Sequence, residues 1–177
     1  MRKRQYLRQS TKRVTIAAIF GAVVFVIKTF MPSPLDKMFI VVQALLLALG
    51  ALLLRRMGAT FVAAIGGILT ALLRQAFAPF TFLFAFLYGL FVDAFFFIFK
   101  VKIADGKVKT GRLVASITLS TALVGLLSYY VTVLVLGLLQ RNPILEVSIL
   151  VIGTVNGAIA GYFASIIWNK HLKNAKL

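Results

Sequence analysis

The chain has 177 residues, of which 61% are hydrophobic and 14% are charged, and its formal net charge at pH 7 is +16. A helix needs about 20 apolar residues to cross a hydrocarbon core of about 30 Å, so the apolar segments leave no room for a soluble catalytic or nucleotide-binding domain. Cys is absent, which excludes disulfides, Cys-ligated zinc and a thiol nucleophile.

Long apolar segments fill most of the chain and predict a single transmembrane domain, 14–168. Basic cytoplasmic tails are predicted on either side, over 1–13 and 169–177. The predicted helices cover about 14–30, 38–54, 58–76, 80–99, 113–139 and 145–168. These runs are uniformly apolar and about twice as long as the alternating segments of a membrane β-barrel. We therefore predict an all-α membrane protein, a bundle of six transmembrane helices.

The connections between these helices carry turn signals. Two prolines in Met31–Lys37 stop the first helix, and Arg55–Gly58 forms a tight turn. Pro79 opens the fourth helix at a favoured first-turn position. Asp105-Gly106 marks a turn in the main basic loop, and Trp168 near the end of the last helix suits a membrane interface.

The Lys and Arg residues are sorted by the apolar segments between them. When six helices are threaded through a bilayer, nearly all of these residues lie on the side of the N-terminus. The exceptions are Lys28, Lys37, Arg74 and Arg141. The positive-inside rule then places both termini in the cytoplasm and the chain in the cell membrane as a multi-pass protein. Basic helix ends attract anionic lipid headgroups, so the charge indicates topology and not nucleic-acid binding.

Small residues at four-residue spacing mark helix faces that approach each other closely in lipid. Such stripes occur on the sixth, third and first predicted helices: Gly153, Gly157, Gly161 and Ser165; Ala59, Ala63, Gly67 and Ala71; and the neighbouring pairs Ala17, Gly21 and Ala18, Ala22. Packing within one bundle and docking of a partner subunit both explain a stripe of this kind.

The fourth predicted helix is rich in Phe, but Ala85, Gly89 and Asp93 share one face at four-residue spacing. We therefore expect Asp93 to point into protein and not into lipid, where a carboxylate is costly. Two roles remain open for Asp93. One is structural, as an ion pair or helix-end cap with Lys100, Lys102 or a backbone amide, and the other is functional.

Motifs for nucleotide binding, metal ligation and nucleophilic catalysis are missing from the chain, so we predict no catalytic residue, no metal and no cofactor. His171 is the only histidine, and the four acidic residues are dispersed. Binding, transport and assembly remain. The polar residues of the outer half predict a modest outward-facing pocket for a small ligand. These residues are Lys28, Gln43, Arg74, Tyr88, Tyr129 and Asn156.

The segment Ala18-Ile19-Phe20-Gly21-Ala22, the loop Phe30–Met38 and the middle section from Leu53–Ala59 through Tyr88–Ala94 resemble the substrate-binding S-component of energy-coupling factor (ECF) vitamin transporters. The middle section is most similar to the thiamine-precursor branch. The resemblance implies capture of a small water-soluble vitamin or precursor beneath a loop at 30–38. It also implies docking of Ala18 and Ala22 on a membrane T-component powered by cytoplasmic ATPases.

The sequence is compatible with more than one ligand class and with two other functions. The third helix carries Arg74 and no acidic residue, which favours an anionic or carboxylated vitamin over a thiamine-like cation. One alternative function is a membrane assembly protein similar to MreD, which needs no pocket. The other is a small free-standing secondary transporter, in which Asp93 is the acidic group available for coupling.

Overall fold

The computed structural model describes residues 2–30, 39–54, 57–73, 78–104 and 106–172, with side chains from residue 11 onward. The helices are α1 Arg2–Phe30, α2 Ile40–Leu54, α3 Gly58–Leu73, α4 Ala78–Ile98, α5 Thr110–Tyr130 and α6 Pro143–Ile167. Single π-helical turns extend α5 over Val131–Val135 and α6 over Trp168–Leu172. Between α4 and α5, the short strands β1 Ile103–Ala104 and β2 Lys107–Val108 pair as an antiparallel hairpin. The predicted all-α class is confirmed.

Four of these helical stretches are long and apolar enough to cross a membrane: Thr11–Phe30, Ala78–Ile98, Thr110–Val135 and Pro143–Leu172. Their length and composition identify the chain as a membrane protein. Helices α2 and α3 are equally apolar, but they have 15 and 16 residues. The number of spans beyond four and the side on which the termini lie stay predictions.

The observed helix ends differ from the predicted ones by a few residues in most places. Helix α1 already begins at Arg2, so most of the basic segment 1–13 continues the first helix. Pro79 lies in the first turn of α4, as predicted. Helix α5 stops earlier than predicted because Gly137 adopts a left-handed backbone conformation, with φ of 61°. The connections 31–38, 55–56 and 74–77 lie outside the described residues.

Helix α2 forms the centre of the bundle and contacts all five other helices. Around it, α1 packs on α3, α3 on α4, α4 on α5 and α5 on α6. Nine residues of α2 are buried, including Gln43 and the run Leu47–Leu52. A helix that is apolar on every face suits this central position, because all of its sides meet protein.

The small-residue stripes of α3, α4 and α6 pack inside the bundle. A Cβ added at Gly89 would lie 2.6 Å from the carbonyl oxygen of Ala59, and one added at Gly157 would lie 2.7 Å from Cα of Thr118. The helix backbones therefore nearly touch at these positions, in the α3–α4 and α5–α6 pairs. Both pairs are antiparallel. As a result, α3 begins beside the last turns of α4, and this junction positions the first candidate site.

Candidate functional site

The carboxylate of Asp93 lies against the first turn of α3. It accepts hydrogen bonds from the backbone amides of Ala59 and Thr60, at 3.3 and 2.8 Å, and from the Thr60 hydroxyl, at 2.7 Å. The first amides of a helix have no partner within the helix, and the helix dipole makes that end partially positive. Asp93 therefore caps α3 from a different helix.

The prediction that Asp93 points into protein is confirmed by these contacts. The sequence offered Lys100, Lys102 and a backbone amide as structural partners for Asp93, and the structure shows that it bonds to backbone amides. Among the described residues, no ion pair joins Asp93 to Lys100 or Lys102. Gly89, one turn earlier on the same face, provides the close approach that brings the carboxylate within reach of α3.

A groove of about 1080 Å³ opens beside this junction, and we call it the α3–α4 groove. Its walls are mostly apolar, and Asp93, Lys100 and Lys102 are its charged residues. The apolar lining comes from the end of α2, the start of α3, the end of α4 and the following segment: Ala51, Leu52, Met57, Phe61, Phe96, Phe97, Ile98, Val101 and Ile103. None of the predicted pocket residues that the structure describes is among the lining residues.

At the end of α4, a lysine occupies the left-handed position that glycine usually takes where a helix ends in this way. Lys100 has φ of 51°. The amide of Val101 donates to the carbonyl of Phe96 at 2.9 Å, and the Lys100 amide donates to that of Phe97 at 3.1 Å. These two bonds form a Schellman motif with Lys100 in the left-handed position. The guanidinium of Arg112 donates to the Lys100 carbonyl at 3.3 Å, which brings a further cation to this turn.

The hairpin beside the groove is held by hydrogen bonds from the π-helical turn that extends α6. Asn169 exchanges two hydrogen bonds with the backbone of Val108: its Oδ1 accepts from the amide at 2.8 Å, and its Nδ2 donates to the carbonyl at 3.1 Å. The indole of Trp168 donates to the Gly106 carbonyl at 3.2 Å. Trp168 is buried, so it anchors this hairpin, and its position near a membrane interface stays a prediction.

The residues predicted to line an outward pocket lie on several helices. Gln43 on α2 and Tyr88 on α4 are buried, while Lys28 on α1 and Asn156 on α6 are partly buried. Arg74 lies outside the described residues. The Tyr129 hydroxyl accepts from the Asn142 amide at 2.9 Å and lies 3.1 Å from its carbonyl, which joins the end of α5 to the start of α6. The outward pocket stays a prediction.

Helix α5 carries a row of buried hydroxyl groups that we did not predict from the sequence. Ser116, Ser120 and Thr121 are buried, and each donates to the carbonyl four residues earlier. Because Thr121 donates to that carbonyl, its oxygen is the acceptor for the Tyr88 hydroxyl, 2.8 Å away on α4. The four-residue spacing of Ser116 and Ser120 could have predicted this row, because residues four apart lie on one face of a helix.

Helix α1 presents its two small-residue pairs to different surroundings. Ala17 and Gly21 are buried, and a Cβ at Gly21 would lie 2.8 Å from Cγ2 of Ile65 on α3. Ala18 is exposed and Ala22 is partly buried, beside the exposed Ile19. One pair therefore packs within the bundle, whereas the other lies at its edge, with Ala18 exposed and Ala22 partly exposed.

No protein-family model matches the chain, and neither a curated protein nor a solved structure matches it significantly. Within the described residues, no group of three or more His, Cys, Asp or Glu side chains is close enough together to hold a metal ion.

Proposed function

We propose that the chain is the substrate-capture subunit of an ECF-type transporter and takes up a small water-soluble vitamin or vitamin precursor. The proposal starts from the sequence resemblance of Ala18–Ala22, the loop Phe30–Met38 and the middle section to S-components. The helical membrane bundle is compatible with it. Powered uptake then requires a membrane T-component and cytoplasmic ATPase subunits as partners.

The orientation of α1 is the structural observation that favours this function. A helix can bury its small residues against its own bundle, as Ala17 and Gly21 do. Ala18 is exposed and Ala22 is partly exposed, with the exposed Ile19 and Val23 beside them. Small residues flanked by aliphatic ones allow a second membrane helix to approach closely. We propose that this face, which we call the Ala18 face, docks on the T-component.

The proposed topology has six spans with both termini in the cytoplasm, in the cell membrane. It rests on the distribution of Lys and Arg. Helices α2 and α3 serve as the two shorter spans. At 1.5 Å per residue they rise about 23–24 Å, and a bilayer of about 30 Å accommodates such segments by local thinning. In this orientation the α3–α4 groove and the hairpin lie on the cytoplasmic side.

The proposed ligand site lies toward the opposite side, among Lys28, Gln43, Arg74, Tyr88, Tyr129 and Asn156. Burial of Gln43 and Tyr88 within the helical bundle supports an interior location. Arg74 and Lys28 favour an anionic or carboxylated ligand, because a cation stabilises a carboxylate through charge-assisted hydrogen bonds.

A thermal-shift screen of the detergent-purified protein against water-soluble vitamins and their precursors tests the capture function. A ligand that binds the native state raises the melting temperature by mass action, about 2.7 kcal/mol at a hundredfold excess over Kd. We expect one compound to raise the melting temperature of the wild type and to lose most of this effect with Arg74→Ala. The control is Arg141→Ala, which removes an exposed arginine and keeps the shift. Absence of a shift with every compound would move the assignment toward an assembly protein.

Co-purification with a T-component tests the docking part. We expect Ala18→Trp with Ala22→Trp to abolish it, because two indoles prevent close helix approach. Val151→Trp with Val155→Trp is the matched control, since both valines are exposed on α6 at the same spacing. Intact co-purification of the α1 variant would refute docking through the Ala18 face.

A further inference from the structure

The α3–α4 groove joins an apolar wall to exposed positive charge. Phe61, Phe97 and Ile98 line it, and their side chains are 58%, 85% and 61% exposed. Lys100 and Lys102 line it where α4 stops, and both are exposed. Asp93, the acidic residue among its lining, is already bonded to the start of α3. The lysines therefore lack an acidic partner among the described residues.

The backbone geometry at Lys100 does not by itself account for a lysine at this position. A left-handed conformation is unfavourable for a residue with a Cβ, and glycine usually occupies this position of a Schellman motif. Lys100 adopts it with φ of 51°. A cation also interacts favourably with the helix C-terminus, but that interaction leaves Lys102 unexplained. Two lysines at one end of an apolar groove match a molecule with an anionic head and a hydrocarbon tail.

We propose that the α3–α4 groove binds an anionic phospholipid from the leaflet at this end of the bundle. The phosphate lies between Lys100 and Lys102, and an acyl chain lies along Phe61, Phe97 and Ile98. Charge complementarity selects the headgroup, since a zwitterionic lipid brings its own cation beside the phosphate. The apolar walls select a lipid over a water-soluble anion. The proposal requires only that the chain is embedded in a membrane, and it is independent of the transported ligand.

Native mass spectrometry of the full-length protein in a nonionic detergent tests this site. The probes are phosphatidylglycerol and phosphatidylcholine with identical acyl chains. We expect phosphatidylglycerol to bind roughly tenfold more tightly, given the contribution of a lysine near an anionic headgroup. Lys100→Gly with Lys102→Gln should remove this preference. Lys107→Gln with Lys109→Gln removes two exposed lysines of the same loop that do not line the groove, and it should keep the preference.

Two single variants separate binding from folding. Lys100→Gly fits the left-handed backbone better than lysine does, so its melting temperature should equal or exceed that of the wild type while its affinity for phosphatidylglycerol falls. Phe97→Ser removes an exposed ring from the groove wall and should weaken binding of both lipids by a similar factor.

Several results would overturn the proposal. One is equal affinity of the wild type for the two lipids. Another is an equal loss of preference in the Lys107 and Lys109 control, which would indicate diffuse attraction by the basic surface. Displacement by free glycerol 3-phosphate at the concentration of the lipid would indicate a phosphate site without a chain-binding groove. Saturable binding of an acidic amphipathic helical peptide, with no lipid preference, would assign the groove to a protein partner.

Discussion

Asp93 on α4 and Thr60 on α3 are joined by two hydrogen bonds, one to the Thr60 amide at 2.8 Å and one to its hydroxyl at 2.7 Å. Through them a carboxylate near the end of one helix completes the first turn of another. Secondary transporters often couple through intramembrane acidic groups, but this carboxylate already has three donors in place. Its contacts therefore favour a structural role at the α3–α4 junction.

Replacement of Asp93 should lower stability. Asp93→Ala leaves the amides of Ala59 and Thr60 without their acceptor, and we expect a loss of about 1–3 kcal/mol in the free energy of unfolding. Asp93→Asn keeps one oxygen and should lose less. The measurement is unfolding of the purified protein in mixed micelles by denaturing detergent, followed by circular dichroism.

A double-mutant cycle isolates the Asp93 contact. Thr60→Val removes the hydroxyl at nearly constant volume, and the cycle with Asp93→Asn should show a coupling of about 0.5–3 kcal/mol, as is found for residues in contact. Additive losses in the two variants would contradict a direct bond. Ala94→Ser, at an exposed neighbour, is the control and should leave stability unchanged.

Gly89 should tolerate no side chain, because α3 lies directly against it. A Cβ there would lie 2.6 Å from both the Ala59 carbonyl oxygen and Cβ of Ala63. Two of its three nearest atoms belong to backbone, which cannot move aside, so Gly89→Ala should destabilise the protein by about 1–3 kcal/mol. The melting temperature in detergent reports the effect.

The same change at Gly111 is the control for Gly89→Ala. Gly111 lies in the first turn of α5 with nothing within 4 Å of an added Cβ, and alanine favours helix more than glycine does. Gly111→Ala should therefore leave the melting temperature unchanged or raise it. A similar fall in both variants would show that close approach at Gly89 is not the cause.

Helix faces were the part of the fold most accessible from sequence. The spacing of Ala85, Gly89 and Asp93 correctly predicted that the carboxylate faces protein, because residues four apart share a face in any α-helix. Its partner was not predictable, since Thr60 and Asp93 meet only when α3 packs on α4. The same holds for the polar residues of the predicted pocket. Their positions along the helices follow from the sequence, but which of them lie close together depends on how the helices pack.

The two small-residue pairs of α1 show a second limit of prediction from sequence, which is the rotation of a helix about its axis. Ala17 with Gly21 and Ala18 with Ala22 have the same spacing and nearly the same composition, yet only the first pair is buried. The rotation of α1 that decides between them comes from its contact with Ile65 and Gly66. Trp168 is a similar case, because its contact with the hairpin depends on the packing of the hairpin against the end of α6.

Asn169 should control the mobility of the hairpin. Asn169→Ala removes both hydrogen bonds to Val108. At about 0.5–1.5 kcal/mol for each bond, the exchange of the Val108 amide should accelerate by at least about fivefold. Hydrogen exchange measures this directly, and trypsin cleavage after Lys107 and Lys109 should also accelerate. His171→Ala, at an exposed position, should leave both rates unchanged. Unaltered exchange at Val108 in Asn169→Ala would contradict the anchoring role.

The hydroxyl of Tyr88 should contribute to stability. The residue is buried, and its hydroxyl forms a hydrogen bond to Thr121 across the α4–α5 interface. Tyr88→Phe keeps the ring. The Thr121 hydroxyl still donates to the Ile117 carbonyl, so no buried donor loses its acceptor. The expected loss in the free energy of unfolding is therefore about 0.5–1.5 kcal/mol. Tyr162→Phe makes the same change on a ring that is 54% exposed on α6 and should leave the melting temperature unchanged. Equal melting temperatures for the two variants without ligand, with weaker ligand binding by Tyr88→Phe alone, would instead assign the Tyr88 hydroxyl to the bound ligand.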